Sequence, residues 1–183
     1  NLLLHGDVIL VEALVEVDLQ ENVVRLGDLD HLAAALHADI EGLLAEHGDA
    51  ALGGRHDNFR KAAGLIDGQF EGWRFNDTDV YKVVEAASYS LAQNYDAELD
   101  AQLDELIEMI AAAQEEDGYL FPAWSADPEN PPNGVGRERW AYVHGNSHEL
   151  YGAGHLFEAA AAHYNATGKR SLLDVAIAFA DLI

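Results

Sequence analysis

Residues 85–110, EAASYSLAQNYDAELDAQLDELIEMI, align without a gap on residues 158–183, EAAAAHYNATGKRSLLDVAIAFADLI, at an offset of 73 residues. Glu85-Ala86-Ala87 falls on Glu158-Ala159-Ala160, Leu99 on Leu172, Leu106 on Phe179 and Ile110 on Ile183. In the helix that runs into the first copy from near Asp77 or Thr78, either of which can cap it, Val80, Val84, Ala87 and Leu91 line one face. Tyr81, Val83 and Ala86 make most of the remaining surface apolar, as expected of a buried helix. The following segment carries Leu99, Leu103, Leu106, Ile107 and Ile110 on one stripe with acids opposite, which predicts a surface helix ending near Gly118. A buried helix followed by a surface helix is a hairpin, and its recurrence implies an all-α chain built as a helical solenoid or an α/α toroid.

Between the two copies lies DGYLFPAWSADPENPPNGVGRERWAYVHGN, residues 117–146, which holds all four prolines of the chain. A connection of that length inside a compact domain is usually functional. N-terminal to the hairpins, the Val- and Leu-rich residues 7–26 fit a strand pair or a helix equally well. Residues 28–48 have the amphipathic spacing of a helix, with Gly48 as its C-terminal cap.

Composition narrows the function. The chain has 183 residues, enough for one domain with a real core, and no apolar run approaches the ~18 residues that span a membrane. Acids outnumber bases 33 to 10, giving a net charge of −23, so nucleic-acid binding is disfavoured because phosphates need a cationic face. The acids are dispersed and lysines are few (Lys61, Lys82, Lys169), a surface suited to high salt and a halophilic source. The absence of cysteine excludes a thiolate nucleophile or a disulfide from this chain. The first residues have no initiator Met and no basic, apolar leader, so a cytoplasmic location is expected. Both ends fall inside patterned sequence, and the chain reads as a fragment.

The stretch NSHELYGAGH, residues 146–155, concentrates candidate chemistry. A helical zinc motif needs two histidines four residues apart, and Gly152 stands where the second would be. His155 lies about 10.5 Å further along the axis than His148, too far to share one ion, so no metal is assigned here. Asn146 with Glu149 three residues later matches a capping box. His148, Tyr151 and His155 make a polar-aromatic stripe with a gap at Gly152, which suits either a sugar pocket or histidines satisfied inside a helical core. In RFNDTDVYK, Asp77, Asp79 and Lys82 gather at a helix start, where aspartates serve as caps or, as two carboxylates close together, as a glycosidase pair. Trp73, Tyr119, Phe121, Trp124 and Trp140 are stacking platforms or core filling, and His163 is expected to face outward.

The segments DNFRKAAGLIDGQFEGWRFNDTDVYKVVEAASYSLA, AAAQEEDGYL and SHELYGAGHLFEAAAAHYNATGKRSLLDVAIAFADLI, in this order from Asp57 to Ile183, resemble the N-terminal part of the catalytic domain of glycoside hydrolase family 127, the β-L-arabinofuranosidase family. The resemblance divides the chain into an atypical segment, 1–56, and an incomplete catalytic domain, 57–183. It implies an (α/α)6 toroid and a retaining reaction on terminal L-arabinofuranosides, with a zinc-held cysteine nucleophile and a glutamate acid/base. His148 matches the family's pocket histidine, and Phe75, Asp77 and Asp79 match a motif close to the pocket. Substrate binding is thereby expected of His148, Asp77, Asp79, Tyr151 and Phe75, while the nucleophile, acid/base and zinc ligands are not matched in this chain. Two hairpins of a six-hairpin ring would leave apolar faces open, so the isolated chain is expected to be poorly folded or to self-associate, for instance as a homo-oligomer. The other readings are a helical-repeat interaction module and an α/α-toroid carbohydrate enzyme of another family, such as an unsaturated uronyl hydrolase.

Overall fold

Alanine decides how closely two helices approach, and the repeat places alanines on both of its long helices. The computed structural model describes residues 54–183, and all regular structure within them is helical. The segments 7–26 and 28–48 lie outside the described residues. Six helices follow in order: α1 Arg55–Ala62, α2 Asp77–Gln93, α3 Ala97–Ala112, α4 Pro122–Ser125, α5 Glu149–Thr167 and α6 Ser171–Leu182. Shifting α2 by 73 residues lays it on α5 to within a residue at each end, so the internal repeat is a structural one. The principal packing is α2 on α5, and Ala87 of α2 and Ala153, Ala159 and Ala160 of α5 are all buried.

The outer helices α3 and α6 each fold back beside their partners. The predicted stripe of α3, Leu99, Leu103, Leu106, Ile107 and Ile110, is buried, as are Leu172, Val175, Ala176 and Phe179 of α6. Asp96 starts α3 by accepting hydrogen bonds from the N–H groups of Glu98 and Leu99, 2.7 and 3.0 Å away. The end of α3 falls six residues before Gly118. Gln114 there turns its amide to the carbonyls of Gly118 and Val175 (2.8 and 2.9 Å), tying the turn to α6. Gly118 has φ 95°, and a Cβ on it would lie 2.3 Å from the Ala178 carbonyl oxygen. Its glycine serves close approach to α6 and is not a helix cap.

His163 is fully buried, contrary to the outward position expected of it. It faces Asp100 and Asp104 of α3, one ring nitrogen and one oxygen of each carboxylate lying within 4.8 Å of one another. Hairpin packing turns that side of α5 toward the outer helix, which the position of His163 near a helix end does not disclose.

The start of the long connection 117–146 packs into the core, while much of its remainder, including residues 129–130, 137–138 and 144–146, is exposed. Tyr119, Leu120, Phe121, Ala123 and Val135 are buried, and the ring of Tyr119 meets Trp124, Trp140 and Phe179 edge to face at 5.3 to 5.8 Å. Arg139 lies over the Tyr119 ring, 4.3 Å from its centroid, and pairs with Glu115 and Asp117. α1 holds the opposite side: the Asn58 amide exchanges two hydrogen bonds of 2.9 Å with the backbone of Glu71, fixing the turn that leads into α2.

Candidate functional site

The turn held by α1 delivers Trp73 and Phe75 beside the start of α5. The rings of Trp73 and Phe75 are 6.0 Å apart and nearly parallel, Phe75 lies 4.7 Å from the His148 ring, His148 5.8 Å from Tyr151, and Tyr151 4.7 Å from His155. Phe75, His148 and Tyr151, separated by more than seventy residues in sequence, thus form one continuous row. Trp73 and Tyr151 are exposed and Phe75, His148 and His155 half-buried, so the row is open to solvent along its length. The Lys82 ammonium lies 3.3 Å from the Tyr151 hydroxyl, adding a cationic donor at the edge.

His148 occupies the position before the first turn of α5 with φ 65°, a left-handed conformation uncommon for a residue with a Cβ. Its Nδ1 is 2.8 Å from the Asn146 carbonyl oxygen, to which Arg74 also donates. A carbonyl only accepts, so Nδ1 carries the proton, and in the neutral ring Nε2 offers a lone pair. An acceptor nitrogen between two aromatic faces is suited to a sugar hydroxyl whose C–H patches rest on the rings.

The two aspartates separate. Asp79 pairs with Arg55 Nε at 2.8 Å and is partly exposed. Asp77 is buried, and neither carboxylate oxygen has a hydrogen-bond partner among the described residues. Burial pushes its pKa up to about 7; the charge of Asp79 adds to this, while the N–H groups of Thr78 and Asp77 and the charge of Lys82 pull it back without closing a hydrogen bond. Neither Asp77 nor Thr78 stands at the cap: Asn76 does, with its amide donated to the Glu71 carbonyl at 3.0 Å. Gly152 explains where Asp77 goes, because a Cβ there would lie 2.9 Å from Asp77 Oδ2. The gap at Gly152 receives the buried Asp77 carboxylate beside the helix that carries His148, Tyr151 and His155.

Glu149 is no part of a capping box. The helix begins at Glu149 itself, preceded by His148, and Asn146 makes no side-chain cap. The buried Glu149 carboxylate instead accepts the Tyr119 hydroxyl at 2.7 Å, the Trp140 N–H at 2.8 Å and the Ser147 hydroxyl at 2.6 Å. Burial first, and the Glu149 carboxylate next, drive the Tyr119 phenol far above its usual range, so Tyr119 stays a donor. Sequence reasoning missed this anchor, whose partners lie up to thirty residues away; the visible signal was a long Pro-rich segment ending at a lone acid.

Among the described residues, His148 joins no group of three metal-ligating side chains. His155 instead groups with Glu85 and Glu158, one ligand atom of each lying within 4.8 Å of the others. The thiolate-held zinc implied by the family resemblance does not fit the residues present, since the chain has no cysteine. An open depression lined by Gln114, Glu115, Glu116, Asp117 and Arg139 belongs to the loop anchor and shares no residue with the aromatic row.

Comparison with known proteins assigns the frame in which this row stands. Residues 21–183 match the family model described as beta-L-arabinofuranosidase, GH127 catalytic domain, a match that begins ahead of the motifs found from Asp57 onward. A non-reducing end beta-L-arabinofuranosidase of Bifidobacterium longum subsp. longum is 41% identical over 128 residues, 69% of this chain and 18% of the relative. Among solved structures, a GH127 beta-arabinofuranosidase superposes on 81% of this chain and 23% of its own length with a TM-score of 0.73 and 45% identity. A GH127 beta-L-arabinofuranosidase from Geobacillus stearothermophilus T6 does so on 80% and 22%, with a TM-score of 0.68 and 40% identity. This chain therefore spans about a fifth of the length of those relatives. With most of its residues inside the family model and both hairpins on the family's fold, the chain belongs to the GH127 catalytic-domain family of glycoside hydrolases.

Proposed function

We propose that these residues form one wall of the sugar site of a β-L-arabinofuranosidase, with His148 hydrogen-bonding a hydroxyl of a terminal L-arabinofuranoside through Nε2. The observation that carries this reading is the row Phe75–His148–Tyr151, assembled from two distant segments and open to solvent. Phe75 and Tyr151 cover the C–H faces of the sugar, and Lys82 holds the Tyr151 hydroxyl. Asp77 acts from its buried place against Gly152, and Asp79 fixes the rim through Arg55. The reaction is a double displacement with retention. Its cysteine nucleophile and thiolate-held zinc cannot come from this chain, so the chain by itself does not cleave a glycoside. No helix of the described residues is long and apolar enough to cross a membrane.

A helical-repeat interaction module is less well supported, because it calls for His148 packed away from any open surface, and His148 is half-buried in a row open to solvent. The test is an assay of the protein from the complete reading frame containing these residues. Release of L-arabinose from an aryl β-L-arabinofuranoside, with β-configured sugar as the first product by NMR, is expected; turnover of α-L-arabinofuranosides or β-D-galactosides alone contradicts the substrate class.

A further inference from the structure

A second group of polar side chains lies between α3, α5 and the start of α6, and shares no residue with the aromatic row. Asp100 and Asp104, one turn apart on α3, each contact the Lys169 ammonium, at 2.7 and 2.6 Å. Tyr95 donates to the other Asp100 oxygen at 3.0 Å. Opposite them is His163, fully buried, with neither ring nitrogen hydrogen-bonded. A buried imidazole without partners is costly to leave so and calls for an occupant beside it. One of its nitrogens and one oxygen of each aspartate lie within 4.8 Å of one another, close enough for small side-chain movements to bring all three to the bonds of about 2.0–2.2 Å that one ion requires.

We propose that Asp100, Asp104 and His163 form a binding site for a divalent transition cation of the zinc type, which takes the place of the Lys169 ammonium. The site already selects a cation, since Lys169 bridges the two carboxylates. Its side chain is about a third exposed and sits just past Gly168, the left-handed end of α5, so it leaves for solvent without disturbing a helix. One imidazole and two carboxylates suit zinc, cobalt or manganese better than magnesium or calcium, which take oxygen alone. The ion enters as the Lys169 ammonium departs, and the imidazole and the two carboxylates become its ligands.

The test titrates the 183-residue chain with Co²⁺ and Zn²⁺ alone, reading the visible cobalt spectrum and the thermal midpoint. One ion per chain is expected, bound about tenfold more tightly in Lys169→Met and about a hundredfold more weakly in both His163→Gln and Asp104→Asn. His155→Gln, in the separate Glu85/His155/Glu158 group, should leave binding unchanged. Asp104 is half exposed, so Asp104→Asn reports even where His163→Gln fails to fold. Absence of binding in both the parent chain and Lys169→Met, equal binding by Asp104→Asn, loss in His155→Gln, or preference for Mg²⁺ would each overturn the proposal.

Discussion

Asp77 shows how one side chain links packing, protonation and the site. Its carboxyl is buried with a pKa of about 7 in the fold, against 3.8 as an ordinary aspartate. The folded state therefore binds more protons than the unfolded chain between these values, and stability present below about pH 4 is lost as pH rises through 7. The ceiling is about 4 kcal/mol at 1.36 kcal/mol per unit. Asp77→Asn should remove this slope, so that urea midpoints of variant and parent diverge in the variant's favour from pH 4 to pH 7; parallel pH profiles would contradict it. Gly152→Ala should cost about 1–3 kcal/mol by pressing a methyl group on Asp77, and Asp77→Ala in the same chain should recover most of it. The sequence signalled room at Gly152 but not its use, because Asp77 arrives from seventy-five positions earlier. Glu149 failed differently: its spacing from Asn146 resembles a capping box, yet the helix starts at Glu149 itself, and Tyr119 and Trp140 of the connection together with Ser147 claim its carboxylate. Glu149→Gln keeps the shape but turns an amide N–H₂ toward donors, and should lower unfolding free energy by about 2–4 kcal/mol in denaturant titrations.

At the scale of elements, the repeat was legible because helix periodicity is local and the 73-residue offset needs no knowledge of contacts. Both stripes of the first hairpin, Val80 to Leu91 and Leu99 to Ile110, are buried as read. What periodicity does not encode is the side of α5 that faces α3, and His163 was misplaced for that reason. The close approach of α2 and α5 through alanine is testable. Ala160→Leu, at a fully buried position, should destabilise by about 1–3 kcal/mol through overpacking, whereas Ala161→Leu on the exposed face should stay within about 0.5 kcal/mol. Equal effects on the thermal midpoint would mean that α2 does not pack there. The long connection is marked as unusual by its prolines and aromatics, but the burial of its first residues depends on Arg139, Tyr119 and Glu149 meeting across the fold.

For the whole molecule, charge and site make separate demands. A net charge of −23 on 183 residues repels itself at low salt. Raising KCl from 0.1 to 2 M shortens the screening length from about 10 Å to about 3 Å or less, and should raise the thermal midpoint. A fall would speak against a salt-adapted surface. The exposure of Tyr89, Tyr164 and Ile177 favours self-association of the isolated chain, visible as a concentration-dependent mass by ultracentrifugation. The family frame was readable from motif order, and the site in part: Phe75, His148 and Tyr151 come together, whereas Asp77 is buried against Gly152 and Asp79 turns to Arg55. The central claim is that this row binds sugar through His148. It is tested most directly by kcat/KM of His148→Gly in the complete enzyme, since glycine accepts the φ of 65° without strain and removes only the ring. A fall of about ten- to a hundredfold, with the thermal midpoint nearly unchanged, is predicted; an unchanged kcat/KM on a β-L-arabinofuranoside would contradict it.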